Sequence, residues 1–138
     1  DEPFCMTYGD GLGNIDIKKL IEFHLKNKKL ATLTAVQPPG RYGAIDIDGE
    51  KVINFQEKKK DQSSWINGGF FVLNPEVIDL IDGDGCMWEN QPLKYLASTN
   101  QLNAFKHFGF WHPMDTLKDK ISLEKKWKNN DAPWKIWQ

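Results

Sequence analysis

The chain has 138 residues, of which 18 are Lys or Arg and 19 are Asp or Glu, so its net charge is -1. A chain of this length suits one domain with a real hydrophobic core, and the balanced charge argues against nucleic acid as a partner. No run approaches the roughly 20 apolar residues of a membrane span, and two cysteines are too few for a disulfide framework, which favours a cytoplasmic protein.

The first predicted element is a strand that runs into a glycine-rich segment. Residues 3–8 (PFCMTY) lack polar–apolar alternation, which is typical of a strand buried on both faces of a parallel sheet. Gly9, Gly11 and Gly13 then interrupt the strand and surround Asp10. The sequence therefore predicts that Asp10 leaves the carboxyl end of the strand on a flexible backbone.

A βαβ unit is predicted from this strand onward. Residues 16–27 have apolar side chains on one helical face, with Asp16 as a suitable N-cap and His24 packed on that face. Residues 30–36 predict the next strand. Strand, helix and strand in this order indicate a parallel pair with a right-handed crossover.

The middle of the chain predicts an antiparallel hairpin, followed by a further strand and helix. In residues 44–55, alternating apolar side chains flank Asp48 and Gly49, a dipeptide typical of a type I′ turn. A strand around 69–73 then leads into a helix for which Asn74 is the predicted cap.

The last predicted elements complete an α/β fold with an inserted hairpin. They are a helix around 92–97, a strand around 103–108 and a helix from Thr116 to Trp127, which opens with capping-box spacing (TLKD). Ligands of open α/β sheets bind beyond the carboxyl ends of the parallel strands. Asp10 lies at that edge of the predicted sheet.

Two aspartates are candidates for a metal site. Asp10 could be a residue of a simple Asp-Gly turn. It could also be a ligand of a hard cation, because a carboxylate suits Mg²⁺. Magnesium is usually held by one or two carboxylates plus substrate phosphates, so a second acid is needed. Asp115 is the candidate for that acid, although it could equally be only the residue before the cap of the final helix.

A third group of polar residues lies near the hairpin. Glu57 and Lys58 follow its second strand. There the carboxylate could accept hydrogen bonds from hydroxyls, and the lysine could contact a phosphate. Asn67, Gly68 and Gly69 offer an amide side chain and exposed backbone, which suit a polyhydroxylated ligand. The alternative for these stretches is a charged loop and a glycine-rich turn without a ligand.

Six segments, in this order, closely resemble the sugar-phosphate nucleotidyltransferase family, and within it the glucose-1-phosphate cytidylyltransferases. The segments are TYGDG (7–11), PPGRYGAIDID (38–48), FQEK (55–58), WINGGFFVL (65–73), GFWHPMDTLKDK (109–120) and APWKIW (132–137). The resemblance implies a mostly parallel, Rossmann-like sheet of the glycosyltransferase-A kind. It also implies transfer of CMP from CTP to α-D-glucose 1-phosphate, giving CDP-glucose and pyrophosphate, by an enzyme that is a homo-oligomer.

The resemblance assigns roles residue by residue. Asp10 and Asp115 match the family's two metal aspartates, which would hold Mg²⁺ against the α-phosphate of CTP. Lys58 matches the lysine that meets the phosphate of glucose 1-phosphate, and Glu57 matches the acid that accepts from sugar hydroxyls. The further substrate-binding residues by this resemblance are Gly9, Gly11, Tyr42, Gly43, Asn67 and Gly68.

One family feature is missing from the chain. Family members begin with a glycine-rich phosphate loop well before the Gly-Asp-Gly segment, and no such loop occurs in this sequence. Residues 1–138 therefore resemble the carboxyl-terminal part of a single nucleotidyltransferase domain, and we expect them to be inactive alone. Two alternatives stay open: a family member that uses UTP, dTTP or ATP, and a non-catalytic carbohydrate-binding or assembly module that stacks sugars on its tryptophans.

Overall fold

The computed structural model describes residues 2–38, 44–48, 50–56 and 65–137. No helix in these ranges has the length and apolarity needed to cross a membrane. In chain order, the elements are β1 (Phe4–Thr7), β2 (Gly11–Gly13), α1 (Ile17–Asn27), β3 (Ala31–Val36), β4 (Ala44–Asp48), β5 (Lys51–Gln56), β6 (Ile66–Leu73), a 3-10 helix (Pro75–Leu80), α2 (Gln91–Ser98), β7 (Leu102–His107), β8 (Trp111–Pro113) and α3 (Leu117–Lys128).

A mixed four-stranded sheet, in the order β1-β6-β3-β7, forms the centre of the described structure. β6 runs antiparallel to both of its neighbours, and β3 pairs with β7 in parallel. β1, β3 and β7 therefore share one direction, and only β6 opposes them. Together with the helices, this sheet confirms the predicted α/β class.

The predicted direct pairing of β1 with β3 is wrong. The two strands run in the same direction before and after α1, but β6 lies between them and pairs with both. Leu73 of β6 is opposite Phe4 on one side and Ala31 on the other. A βαβ pattern indicates the relative direction of two strands, but it does not exclude a later strand from entering between them.

β1 is also more exposed than its apolar sequence predicts. It lies at the edge of the described sheet, where Phe4, Cys5 and Thr7 are exposed and Met6 is half-buried. The buried positions belong instead to β3 and β6, the two central strands. In the described sheet, β1 is therefore an edge strand rather than the buried strand that its sequence predicts.

β6 contributes alternate side chains to two hydrophobic cores, one on each face of the sheet. Phe71 and Leu73 pack with Leu96 of α2 on one face, whereas Val72 packs with Leu20 of α1 on the other. This division follows from the period of two in a strand. Each of these side chains is at most 1% exposed, and burial of one such side chain stabilises the fold by about 1.5–3 kcal/mol.

The predicted N-caps of α1 and α3 are both present. Asp16 accepts a hydrogen bond from the backbone N–H of Lys19 at 3.0 Å, and this bond is the main cause that lowers the pKa of Asp16. At the start of α3, Thr116 and Asp119 form a reciprocal capping box. Both helices begin where predicted because a cap depends on residues three positions apart.

The helix predicted after Asn74 is a 3-10 helix, and the side chain of Asn74 does not cap it. Asn74 Oδ1 lies instead 2.8 Å from Nε2 of His24, whose Nδ1 lies 2.9 Å from Thr32 Oγ1. His24 is only 2% exposed, which confirms its predicted packing. It links α1 to β3 and to the end of β6.

The predicted hairpin is confirmed in the paired strands β4 and β5. They are antiparallel, with Asp48 opposite Lys51 and a register shift between Asp46 and Ile47. Gly49 lies outside the described residues, so the type I′ turn stays a prediction.

Candidate active site

A short ribbon that the sequence did not predict brings the two candidate metal aspartates to one place. β2 and β8 pair antiparallel, with Gly11 opposite Pro113. Just beyond this pair, the backbone N–H of Met114 donates to the carbonyl of Asp10 at 2.6 Å. Asp10 and Asp115 therefore lie at the same end of the ribbon, and both are exposed.

The backbone at Asp115 is anchored by a buried carboxylate. Oδ2 of Asp119 accepts from the backbone N–H groups of Asp115 and Thr116, at 3.3 and 3.0 Å, and from the Thr116 hydroxyl at 2.8 Å. Asp119 is 6% exposed, and Nε2 of His112 lies 3.8 Å from its other oxygen. Because hydrogen bonds to an ionised acceptor are strong, α3 and Asp115 are held together.

Trp111 joins the ribbon to β6. Its indole N–H donates to the carbonyl of Gly68 at 2.9 Å. A Cβ atom on Gly68 would lie 2.8 Å from Val36 Cγ1 and 3.0 Å from the Thr34 carbonyl, so only glycine fits here without displacement. A Cβ atom on Gly11 would lie 3.5 Å from both the indole nitrogen and the Gly68 carbonyl, an ordinary van der Waals distance. Gly68, but not Gly11, is therefore required for the close approach of β6 to β3.

Asn67 and Tyr8 lie beside this junction. Asn67 Oδ1 accepts from the backbone N–H of Gly69 at 2.9 Å, and Asn67 Nδ2 donates to the Tyr8 hydroxyl at 3.1 Å. Gly69 has a φ of 77°, a conformation that favours glycine. A Cβ atom at this position would lie 2.8 Å from Cδ2 of Tyr8, so the tyrosine ring requires glycine beneath it.

The phenol of Tyr8 is strongly biased toward its protonated form. Burial is the largest cause that raises the pKa of Tyr8 to about 12, followed by the nearby Glu89 carboxylate. The charge of Asp10 acts in the same direction, whereas the bond from Asn67 opposes it. Tyr8 therefore keeps its hydroxyl proton at neutral pH.

The structure gathers the described candidate residues around one junction between the ribbon and β6. These are Gly9, Asp10, Gly11, Asn67, Gly68 and Asp115. The remaining candidates lie outside the described residues: Tyr42, Gly43, Glu57 and Lys58.

Sequence analysis missed four residues of this junction. Tyr8 lies in the same family motif as Asp10, and Trp111 lies in the same motif as Asp115. Their nearness in sequence to these aspartates could have identified them. Asp119 was predicted only as a helix cap. Glu89 had no local signal, because its contact with Tyr8 depends on the fold.

The two aspartates offer a donor set that suits magnesium. Among the described residues, no three His, Cys, Asp or Glu side chains cluster closely enough to hold a metal ion. Two carboxylates completed by phosphate oxygens and waters are the usual protein site for Mg²⁺. Asp10 and Asp115 fit such an ion if a substrate supplies further oxygens.

Comparison with known proteins shows the family. A family model described as nucleotidyl transferase matches residues 1–111. The chain is 57% identical, over 138 residues, to a glucose-1-phosphate cytidylyltransferase of Salmonella typhi, and it covers 54% of that relative's length. The whole of this chain is matched, but it spans only about half of the relative's length.

Solved structures share the fold. HddC from Yersinia pseudotuberculosis aligns with a TM-score of 0.62 at 24% identity, over 92% of this chain and 56% of that one. The inositol-1-phosphate CTP transferase from T. maritima aligns with a TM-score of 0.59 at 17% identity, over 99% of this chain and 57% of that one. At these identities the likeness concerns the fold alone. The match to the family model, together with this fold, shows that the chain belongs to the nucleotidyl transferase family.

Proposed function

We propose that the protein carrying this sequence transfers CMP from CTP to α-D-glucose 1-phosphate and releases pyrophosphate. The observation that supports this most is the 57% identity, over all 138 residues, to the Salmonella typhi glucose-1-phosphate cytidylyltransferase. The junction of the ribbon and β6 supports it independently, because it brings two carboxylates and the amide of Asn67 into one part of the fold. Such a site suits a phosphorylated, polyhydroxylated substrate.

In this reaction, the protein mainly positions the two substrates and neutralises the charge of their phosphates. A phosphate oxygen of the sugar phosphate attacks the α-phosphorus of CTP, the new phosphorus–oxygen bond forms, and pyrophosphate leaves with the electrons of the broken bond. Transfers of this kind need little covalent chemistry from the protein. In the proposal, Asp10 and Asp115 hold Mg²⁺, which when bound offsets the charge of the phosphates.

The chain's own residues then orient the sugar phosphate. Asn67 and the backbone of Gly68 face the hexose, with Gly68 held by the indole of Trp111. By the resemblance, Lys58 meets the sugar's phosphate and Glu57 accepts from its hydroxyls. Gly9 and Gly11 leave room for the nucleotide around Asp10, and Tyr42 and Gly43 complete the sugar side of the site.

The proposal includes a cytoplasmic location and a homo-oligomeric state. Cys5 and Cys86 are free thiols, as expected of a cytoplasmic protein. Leu117 and Ile121 leave apolar side chains 71% and 58% exposed on α3, which suits the homo-oligomer implied by the resemblance.

A nucleotide panel tests the proposed reaction. The protein that carries these residues is assayed for pyrophosphate release with glucose 1-phosphate and each of CTP, UTP, dTTP and ATP. We expect CTP to be preferred and CDP-glucose to form. Preference for another nucleotide would replace the cytidylyl assignment. Binding of neutral glucose as tight as that of glucose 1-phosphate, without turnover, would favour the carbohydrate-binding module.

A further inference from the structure

The carboxamide of Asn67 is held in one orientation by two hydrogen bonds. Its oxygen accepts from Gly69, and one of its two N–H groups donates to Tyr8. A flipped amide would lose the bond from Gly69, because its NH₂ group would then face the N–H of that glycine. Within the described residues, the second N–H of Asn67 contacts no acceptor, and Asn67 is half-buried. This N–H is therefore left to donate to a ligand.

Tyr8 is itself fixed at two points. Its backbone N–H donates to the carbonyl of Gly69 at 2.8 Å, and its ring packs against Phe71 with centroids 5.4 Å apart. Both contacts hold the end of β1 against β6.

The direction of the bond between Asn67 and Tyr8 is set at the other end of the amide. Because Oδ1 of Asn67 accepts from the backbone N–H of Gly69, the NH₂ group is the end that faces the Tyr8 hydroxyl. The Asn67 amide is therefore fixed as a hydrogen-bond donor toward Tyr8.

We infer that Tyr8 is a positioning residue that orients Asn67 to donate its second N–H to a hydroxyl oxygen of the hexose. This inference rests on the proposed function, since it takes a hexose phosphate as the substrate. It deepens that function by identifying a residue that acts on the sugar only through another residue.

Binding of CDP-glucose and of CDP, compared by calorimetry, isolates the hexose contacts. In the protein that carries these residues, we expect Tyr8→Phe to weaken CDP-glucose by roughly five- to twentyfold, as for one or two lost hydrogen bonds. CDP binding should stay unchanged, because CDP lacks the hexose. Tyr95→Phe is the matched control, since Tyr95 is exposed on α2, and it should change neither affinity.

A double-mutant cycle separates positioning from general loss of structure. If Tyr8 acts through Asn67, Tyr8→Phe should have little further effect on CDP-glucose binding once Asn67→Ala is present. Equal thermal unfolding midpoints for the tyrosine variants and the parent protein would show that folding is intact.

The inference fails if the losses from Tyr8→Phe and Asn67→Ala simply add, or if CDP and CDP-glucose weaken together. It also fails if the parent protein binds CDP-glucose no better than CDP. The proposed function fails separately, if the parent protein binds CDP-glucose better than CDP but does not form it from CTP and glucose 1-phosphate.

Discussion

Close packing at individual glycines shapes the candidate site more than loop flexibility does. Gly68 fits against Val36 and the backbone carbonyl of Thr34, and Gly69 lies under the ring of Tyr8. The sequence suggested a flexible turn at these positions. In the folded chain they are contact points at which a single methyl group would displace a neighbour.

Gly69→Ala should destabilise the protein by about 1–3 kcal/mol, because a side chain at positive φ is strained and its Cβ would meet the ring of Tyr8 at 2.8 Å. Gly85→Ala is the matched control, since a Cβ atom there would have nothing within 4 Å. Urea unfolding measures both variants. Equal stabilities of the two variants would show that Tyr8 does not require glycine at position 69.

Lys58 allows a test of the sugar-phosphate assignment at a single side chain. Lys58→Ala should weaken glucose 1-phosphate by about 1.5–3 kcal/mol, the usual size for a hydrogen bond to a charged group, and should affect CTP far less. Lys60→Ala, from the same basic run, serves as the control. Equal weakening of both substrates by Lys58→Ala would place this lysine elsewhere.

At the scale of elements, features that depend on contacts close in sequence were predicted correctly, whereas features that depend on distant contacts were not. The caps at Asp16 and Thr116 were predictable because each depends on residues three positions away. The place of β6 between β1 and β3 was not, because strand order depends on contacts far apart in the chain. The ribbon of β2 and β8 escaped prediction because its strands have only three residues each.

The N-cap of α1 gives a pH-dependent prediction. The pKa of Asp16 is lowered from its ordinary value of 3.8, chiefly by the backbone N–H of Lys19. A lowered pKa means that the charge stabilises the fold above pH 3.8 and that this stability is lost as the pH falls through the folded-state pKa. Asp16→Asn keeps a capping oxygen but removes the charge.

Thermal unfolding from pH 6 down to pH 2.5 follows this effect. We expect the parent protein to unfold at a higher temperature than Asp16→Asn near pH 6, and the difference to shrink below pH 3.8. A difference that stays constant over this range would mean that the cap acts through hydrogen bonding alone.

At the scale of the whole molecule, the fold brings together what the sequence keeps apart. Sequence analysis named Asp10 and Asp115 as candidate metal ligands, the resemblance assigned them the same role, and the ribbon supplies the physical reason for the pairing. The hydrogen bond from Asn67 to Tyr8 had no sequence signal, because the two residues lie 59 positions apart in the chain. The account as a whole therefore depends on the two aspartates acting together.

Turnover with CTP and glucose 1-phosphate at saturating Mg²⁺, measured for Asp10→Asn and for Asp115→Asn, tests that claim most directly. An amide cannot offset the charge of a divalent cation as a carboxylate does, so each variant should lose turnover by orders of magnitude. Asp84→Asn, an exposed aspartate in the turn after the 3-10 helix, should leave it unchanged. Near-normal turnover in either Asp10→Asn or Asp115→Asn would contradict the proposal that the two aspartates form one metal site.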